Sequence, residues 1–385
     1  MSKENIFLEK FISGETETIA HTKYFIPNNI HHQWIITDPI IHTLLERVYI
    51  KLGELNSYAQ HPQLENFLNA HLTKEAISST KLEGKEINFS TAFLPQEFLA
   101  SKQTKDFQKL QNQLNAFKSA QQILEKKPLS VSLIRKIHSE IVKSSRIKKT
   151  ATNTFRKQRG KSYHQSKLAP PNPTYILELM GDIEDFLLDE HIKVPYLIRI
   201  AIANYQLETI QPFSSGNNRL NNIITILYLL KKQILTTPLL LFSTTLLEKQ
   251  SIYLENLNRA REKNDLYFWI RYFLTTLNES ITQSLAVIQS NIKLKLECTS
   301  TITEKWGRRS NAGLIFLEYL FQQPVVQVKD IENICNLSKK AANDLMKQFI
   351  KFGILKEISG QIRYRIFVFN SFIEIYEHKK SLDAE

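Results

Sequence analysis

The sequence predicts a mostly α-helical protein that ends in a winged helix-turn-helix domain. Three observations carry this. Ten glycines in 385 residues is sparse for a turn-dense β architecture, and the chain is rich in Leu, Ile, Lys, Gln and Asn. Apolar residues recur at i, i+3 and i+4 through 44–55, 107–124, 133–142, 176–188 and 270–294, the period of helices packing on helices. Beyond Lys305 the pattern changes to helix, helix, helix and hairpin.

Composition excludes several classes. Hydrophobic residues at 42% and charged residues at 23% are globular values, so the chain folds. Cys298 and Cys335 cannot build a disulfide framework or a cysteine zinc site by themselves, which fits a reducing compartment. The start, Met1-Ser-Lys-Glu-Asn, has no apolar signal core. The apolar run 223–242 is interrupted by Lys231, Lys232 and Pro238, so no membrane span is expected and a cytoplasmic location is the default. Histidines such as His31, His32, His61, His71, His138 and His191 do not fall at metal-ligand spacing, so no metal site is expected. The formal charge of +12 points to a polyanionic partner. Between 141 and 177, Lys143, Arg146, Lys148, Lys149, Arg156, Lys157, Arg159, Lys161 and Lys167 occur with no acidic residue, as either a solvated basic loop or an anion-facing surface.

The elements follow in order. Residues 1–105 form an N-terminal helical region, 106–295 the core and 296–385 the C-terminal domain. The cationic stretch 155–168, with Gly160 and Tyr163, reads as an exposed hairpin or loop, and Pro170-Pro171-Asn172-Pro173 opens a helix near Tyr175. Pro212 ends another helix, and Gly216 to Arg219 leads into the apolar run 223–230. In the C-terminal domain, Ser338 caps an amphipathic helix over 339–352, Gly353 stops it, and a turn at Ser359-Gly360 joins two short strands. Lys339, Lys340, Lys347 and Lys351 on that helix and Arg363 and Arg365 on the wing are candidate DNA-phosphate contacts. The helix has no arginine to grip a guanine edge, and winged helices also dock proteins, so both partners stay open.

The chemistry concentrates at 205–224. A Gly216-Asn217-Asn218 turn at a helix start presents successive backbone N–H groups and the positive end of the dipole, an anion cradle beside which Arg219 could clamp a phosphate. An ordinary capped helix start is the plainer reading.

Residues 211–222 resemble the signature of the Fic-domain family, His-Pro-Phe-x-(Asp/Glu)-Gly-Asn-(Gly/Lys)-Arg-x-x-Arg. Ser79-Thr-Lys-Leu-Glu83-Gly84 resembles the family's inhibitory motif, (Ser/Thr)-x-x-x-Glu-(Gly/Asn). Phe155-Arg156 with the proline run resembles the flap, near 152–168, that docks a target segment, and a C-terminal winged helix is a frequent companion. The resemblance implies a Fic-type helical core with a small β-hairpin flap. It also implies transfer of AMP from ATP, or of a related phosphate-containing group, to a protein hydroxyl.

The chain departs from that signature where the chemistry sits. The resemblance makes the motif His the general base; here it is Gln211, whose amide can orient a hydroxyl but cannot take its proton. The metal-holding acid becomes Ser215, the second glycine becomes Asn218, a residue that tolerates left-handed backbone, and the γ-phosphate arginine becomes Asn222. Pro212, Phe213, Gly216, Asn217 and Arg219 remain. Weak or absent binding of ATP with Mg²⁺ is therefore expected. Glu83 loses its implied partner at 222, leaving an N-terminal contact or Arg219 as alternatives. The resulting expectation is a pseudoenzyme, an anion- or nucleotide-binding regulatory scaffold. The alternatives are an active AMP transferase acting on a protein at the flap, with His164 or Tyr163 as base, and a DNA-binding regulator whose core serves homodimerisation.

Overall fold

Helices make up most of the described residues, but 4–35 carry four short strands and one turn of 3-10 helix rather than the α-helices expected of the N-terminal region. The computed structural model describes residues 4–99, 101–143, 154–158, 160, 166–360 and 364–377. Part of the expected flap, with Tyr163 and His164, the basic-run residues Arg146, Lys148, Lys149, Arg159 and Lys161, and the wing residue Arg363 lie outside the described residues.

Strand β1 (Asn5–Phe7) lies before the hairpin β2 (Gly14–Ile19) and β3 (Thr22–Pro27), and β4 (Gln33–Ile35) pairs back on β1 in parallel. The hairpin turns on Ala20 and His21, at φ 46° and 66°, a left-handed pair that right-handed strand twist demands of a two-residue loop. Tyr24 and Phe25 of β3 are buried.

Asp38 accepts the Ile41 N–H at 2.9 Å, and Pro39 supplies the first residue of α1 (Pro39–Ser57). Ile41, Leu45, Val48, Leu52 and Leu55 then bury one stripe of α1. Helix α2 (Leu64–Lys81) is enclosed by other helices, so even its polar residues Thr73, Glu75, Ser78, Ser79 and Thr80 are buried. Next come α3 (Ser101–Leu124) and α4 (Val131–Ile141), and β5 (Leu168–Ala169) adds to β3 in parallel. Helix α5 (Ile176–Leu188) follows the proline run as expected.

The antiparallel pair α6 (Tyr196–Ile210) and α7 (Asn217–Lys231) is the buried centre; every residue from Leu197 to Ile210 is inaccessible to solvent or nearly so. That explains an apolar run without a polar stripe: the helix is covered on all sides. Helices α8 (Phe242–Glu248) and α9 (Gln250–Glu262) lead into α10 (Leu266–Lys305), whose 40 residues run unbroken across the expected boundary at 295.

The C-terminal part has α11 (Ser310–Gln322), β6 (Val325–Val326), α12 (Val328–Cys335), α13 (Lys339–Lys351), β7 (Lys356–Glu357), β8 (Phe367–Val368) and α14 (Asn370–Glu377). Ser338 caps α13 and Gly353 follows it at φ 72°. Its core rings include Phe316, Phe321 and Phe349, each fully buried side chain contributing about 1.5–3 kcal/mol. Helix α14, which sequence periodicity left unread, fastens this part to the core. Tyr376 stacks on Phe89 at 4.6 Å and its hydroxyl accepts from Asn291 of α10, while Glu377 accepts the Phe89 N–H at 2.9 Å. Among the described residues, no helix is long and apolar enough to cross a membrane.

Candidate functional site

The candidate site is the loop between α6 and α7. Gln211 ends α6 in the left-handed region (φ 44°, ψ 65°), and Gly216 opens α7 at φ 77°. Asn218, a residue that tolerates that conformation, is helical within α7, because the chain reverses two residues earlier, at glycine. A Cβ at Gly216 would lie 3.3 Å from Val142 Cγ1 and 3.4 Å from Arg219 Nη2, so the torsion favours glycine and a side chain would also press on these two neighbours. Asn217 closes the loop on itself: its Oδ1 accepts the Phe213 N–H at 3.0 Å and its Nδ2 donates to the Phe213 carbonyl at 2.8 Å. Ser214 and Ser215 stand exposed at the tip, and Gln211 is half-buried.

Helix α2 brings its motif to α7. Arg219 is buried, and its Nε donates to Glu83 Oε2 at 3.0 Å. Asn222, also buried, donates through Nδ2 to Ser79 Oγ at 3.2 Å and Ser243 Oγ at 2.9 Å. Gly84, at φ 74°, turns the chain away immediately after this contact. One turn back on α2, the Glu75 carboxylate accepts the Ser243 N–H at 2.8 Å, and burial raises its pKa to about 7. Beneath the loop, Glu208 accepts from Asn221 Nδ2 at 2.9 Å, and burial pushes its pKa up as well.

Two side chains bracket the loop in ways sequence reasoning did not single out. The His138 ring lies flat on Phe213, with centroids 3.6 Å apart, and its Nε2 is 2.9 Å from the Ser215 carbonyl. Since a carbonyl only accepts, Nε2 carries the proton. Arg156, read in the sequence as part of the flap and of a basic run that is solvated or faces an anion, is instead 7% exposed and aims its guanidinium at the carbonyl end of α6. Neither role has a sequence signal beyond residue type, because both partners are backbone oxygens.

A groove of about 830 Å³ lies elsewhere, lined by Phe7, Phe11, Ile12, Asn28, His32 and Leu179 among others. It contains no residue of the loop. Among the described residues, no three His, Cys, Asp or Glu gather as metal ligands. On α13, Lys339, Lys340, Lys347 and Lys351 are exposed, with Lys347 Nζ 3.6 Å from Asp344; Arg365 is bonded to Glu357.

Residues 128–229 match the family described as Fic/DOC. Over 127 residues the chain is 28% identical to "Protein adenylyltransferase fic-1" of Caenorhabditis elegans, and likewise to that of Caenorhabditis briggsae. The aligned stretch is 32% of this chain and spans 23% and 24% of those two relatives, well under two thirds of their length. Among solved structures, a Fic family protein from Desulfovibrio desulfuricans G20 superposes with TM-score 0.57 at 15% identity, covering 86% of this chain and 96% of that one. Fic-1 (residues 134–508) from C. elegans gives 0.52 at 18% identity, covering 66% and 74%. The loop described above falls inside the segment that matches the Fic/DOC family, and the chain has the fold of the Fic family proteins it superposes on.

Proposed function

We propose that this protein is a Fic-fold scaffold that binds an anion or nucleotide at the α6–α7 loop, has lost adenylyl transfer or nearly so, and acts by regulation. The observation that carries this reading is the state of position 222. Where the family signature has an arginine, a neutral amide spends both of its hydrogens on Ser79 and Ser243 inside the protein. Gln211 adds to it: an amide cannot accept the proton of an attacking hydroxyl, and loss of a general base costs about 10²–10⁴-fold.

The residues present do not fit a Mg²⁺-bound triphosphate. Ser215 offers a neutral hydroxyl where a hard cation needs carboxylate oxygen, and its carbonyl already accepts from His138. The remaining cation of the signature, Arg219, is paired with Glu83.

Calorimetry with AMP, ADP and ATP, with and without Mg²⁺, tests the reading. The wild-type chain should bind weakly and without metal dependence. The variant Gln211→His, Ser215→Asp, Asn222→Arg should gain at least about tenfold for ATP, and only with Mg²⁺, one such step being 1.4 kcal/mol. Tight, Mg²⁺-dependent ATP binding by the wild-type chain would refute the proposal.

A second reading is favoured by the exposed lysines of α13, in a helix-and-hairpin order expected of a winged helix: duplex DNA as a partner of the C-terminal part. Phosphate contacts make binding fall with salt, and replacing Lys339 and Lys340 by Gln should reduce the log–log salt slope by about 2. No duplex binding at low salt would end that reading.

A further inference from the structure

We infer that Arg156 is the positioning residue of the α6–α7 loop: one buried guanidinium holds the backbone of 210–212 and with it the left-handed conformation of Gln211, the residue at the position of the motif His. This rests on the reading of the loop given above.

The argument begins with the end of α6. The last carbonyls of a helix have no partner within it, and here the chain must also place a non-glycine residue in the left-handed region, at a cost of about 1–2 kcal/mol. Arg156 meets both demands. Its Nε donates to the Gln211 carbonyl at 2.9 Å and its Nη2 to the Ile210 carbonyl at 3.2 Å, while its own backbone N–H donates to the Pro212 carbonyl at 2.9 Å. Three consecutive carbonyls are thus fixed by one residue. The same guanidinium also donates to the Pro171 carbonyl at 2.6 Å and to that of Gln158 at 3.1 Å. Pro171 belongs to the proline run that precedes α5, so the loop and that run share a single clamp. A planar fork with five N–H groups can span such an array, and its charge sits at the negative end of the α6 dipole. An ammonium has neither the reach nor the planarity.

The plain alternative is that Arg156 is one more structural arginine, and the fold supplies a control for it. Arg199, 2% exposed, likewise donates to carbonyls, those of Val194 at 3.1 Å, Asp189 at 2.5 Å and Ile192 at 2.6 Å, but none belongs to the loop.

The test uses the full chain, labelled with ¹³C at isoleucine carbonyls and ¹⁵N,¹³C in glutamine, so that the Ile210–Gln211 junction gives its own cross-peak, told from Ile288–Gln289 by its loss in Q211H. In R156K the Gln211 Cα and Cβ shifts should leave their left-handed values, while R199K lowers the melting temperature without moving them. In the Gln211→His, Ser215→Asp, Asn222→Arg background, R156K should lower kcat for AMP transfer about 10²-fold with the KM for ATP unchanged. Left-handed Gln211 shifts retained in folded R156K, or the same shift change in R199K, would overturn the inference. If the back-substituted chain stays inert, transfer was lost at more positions than 211, 215 and 222, and the Gln211 shifts still decide the role of Arg156.

Discussion

Glu83 accepts a hydrogen bond from Arg219 Nε at 3.0 Å, joining the end of α2 to the first turn of α7. The contact unites the two stretches that the sequence marked out, but with a changed partner: the carboxylate meets the arginine at 219, and Asn222 turns to Ser79 and Ser243. With one arginine left in the signature, the carboxylate that occupies it decides how much positive charge the loop offers an anion.

Glu83→Gln should therefore release that charge. A hydrogen bond between charged groups contributes about 1.5–3 kcal/mol, so phosphate or AMP should bind about tenfold or more tightly in the variant. Glu83→Ala, which also leaves Arg219 without its partner, should melt at a lower temperature than Glu83→Gln. Unchanged anion affinity in calorimetry of the Gln variant would show that the pair does not gate the loop.

Glu75 makes stability depend on pH. Burial raises its folded pKa from 4.5 to about 7, so the folded chain holds this proton where the unfolded chain has released it. Its contribution is fully present below 4.5 and is lost as pH climbs toward 7. Urea unfolding should show this component weakening over that range, and Glu75→Gln, which keeps an acceptor for the Ser243 N–H, should flatten it. An identical pH slope in the variant would exclude Glu75 as the source.

His138, on α4, supports the middle of the loop. Its ring stacks on Phe213 and its Nε2–H holds the Ser215 carbonyl. His138→Ala should lose about 1–3 kcal/mol in chemical unfolding, and His138→Phe, which keeps the stack and forfeits the hydrogen bond, should recover part of it. Equal losses in the two variants would remove the stack from the account.

Much of the helical frame was legible because buried stripes announce themselves by period. Leu45 to Leu55 of α1 and the Ser338 cap of α13 are examples. The N-terminal hairpin was missed for a local reason. Its turn is Ala20-His21, where the usual signal is Asn-Gly, so the alternating residues of 14–27 carried no punctuation. In the site, the residues of 211–222 mark the loop, yet sequence spacing could not choose between a Glu83 held within the N-terminal region and one paired with Arg219. That choice depends on how α2 packs on α7, a long-range contact. His138 and Arg156 were illegible as loop supports because they bind backbone oxygens, which leave no trace in the residue pattern.

The central claim is that a glutamine at 211 cannot do the work of a base. Incubating the full chain with ATP, Mg²⁺ or Mn²⁺ and a cell lysate, followed by mass spectrometry for AMP adducts, tests it most directly. The account predicts no AMP on this chain or on any lysate protein above a control without it; an AMP-bearing serine, threonine or tyrosine that disappears with Arg219→Ala would contradict it.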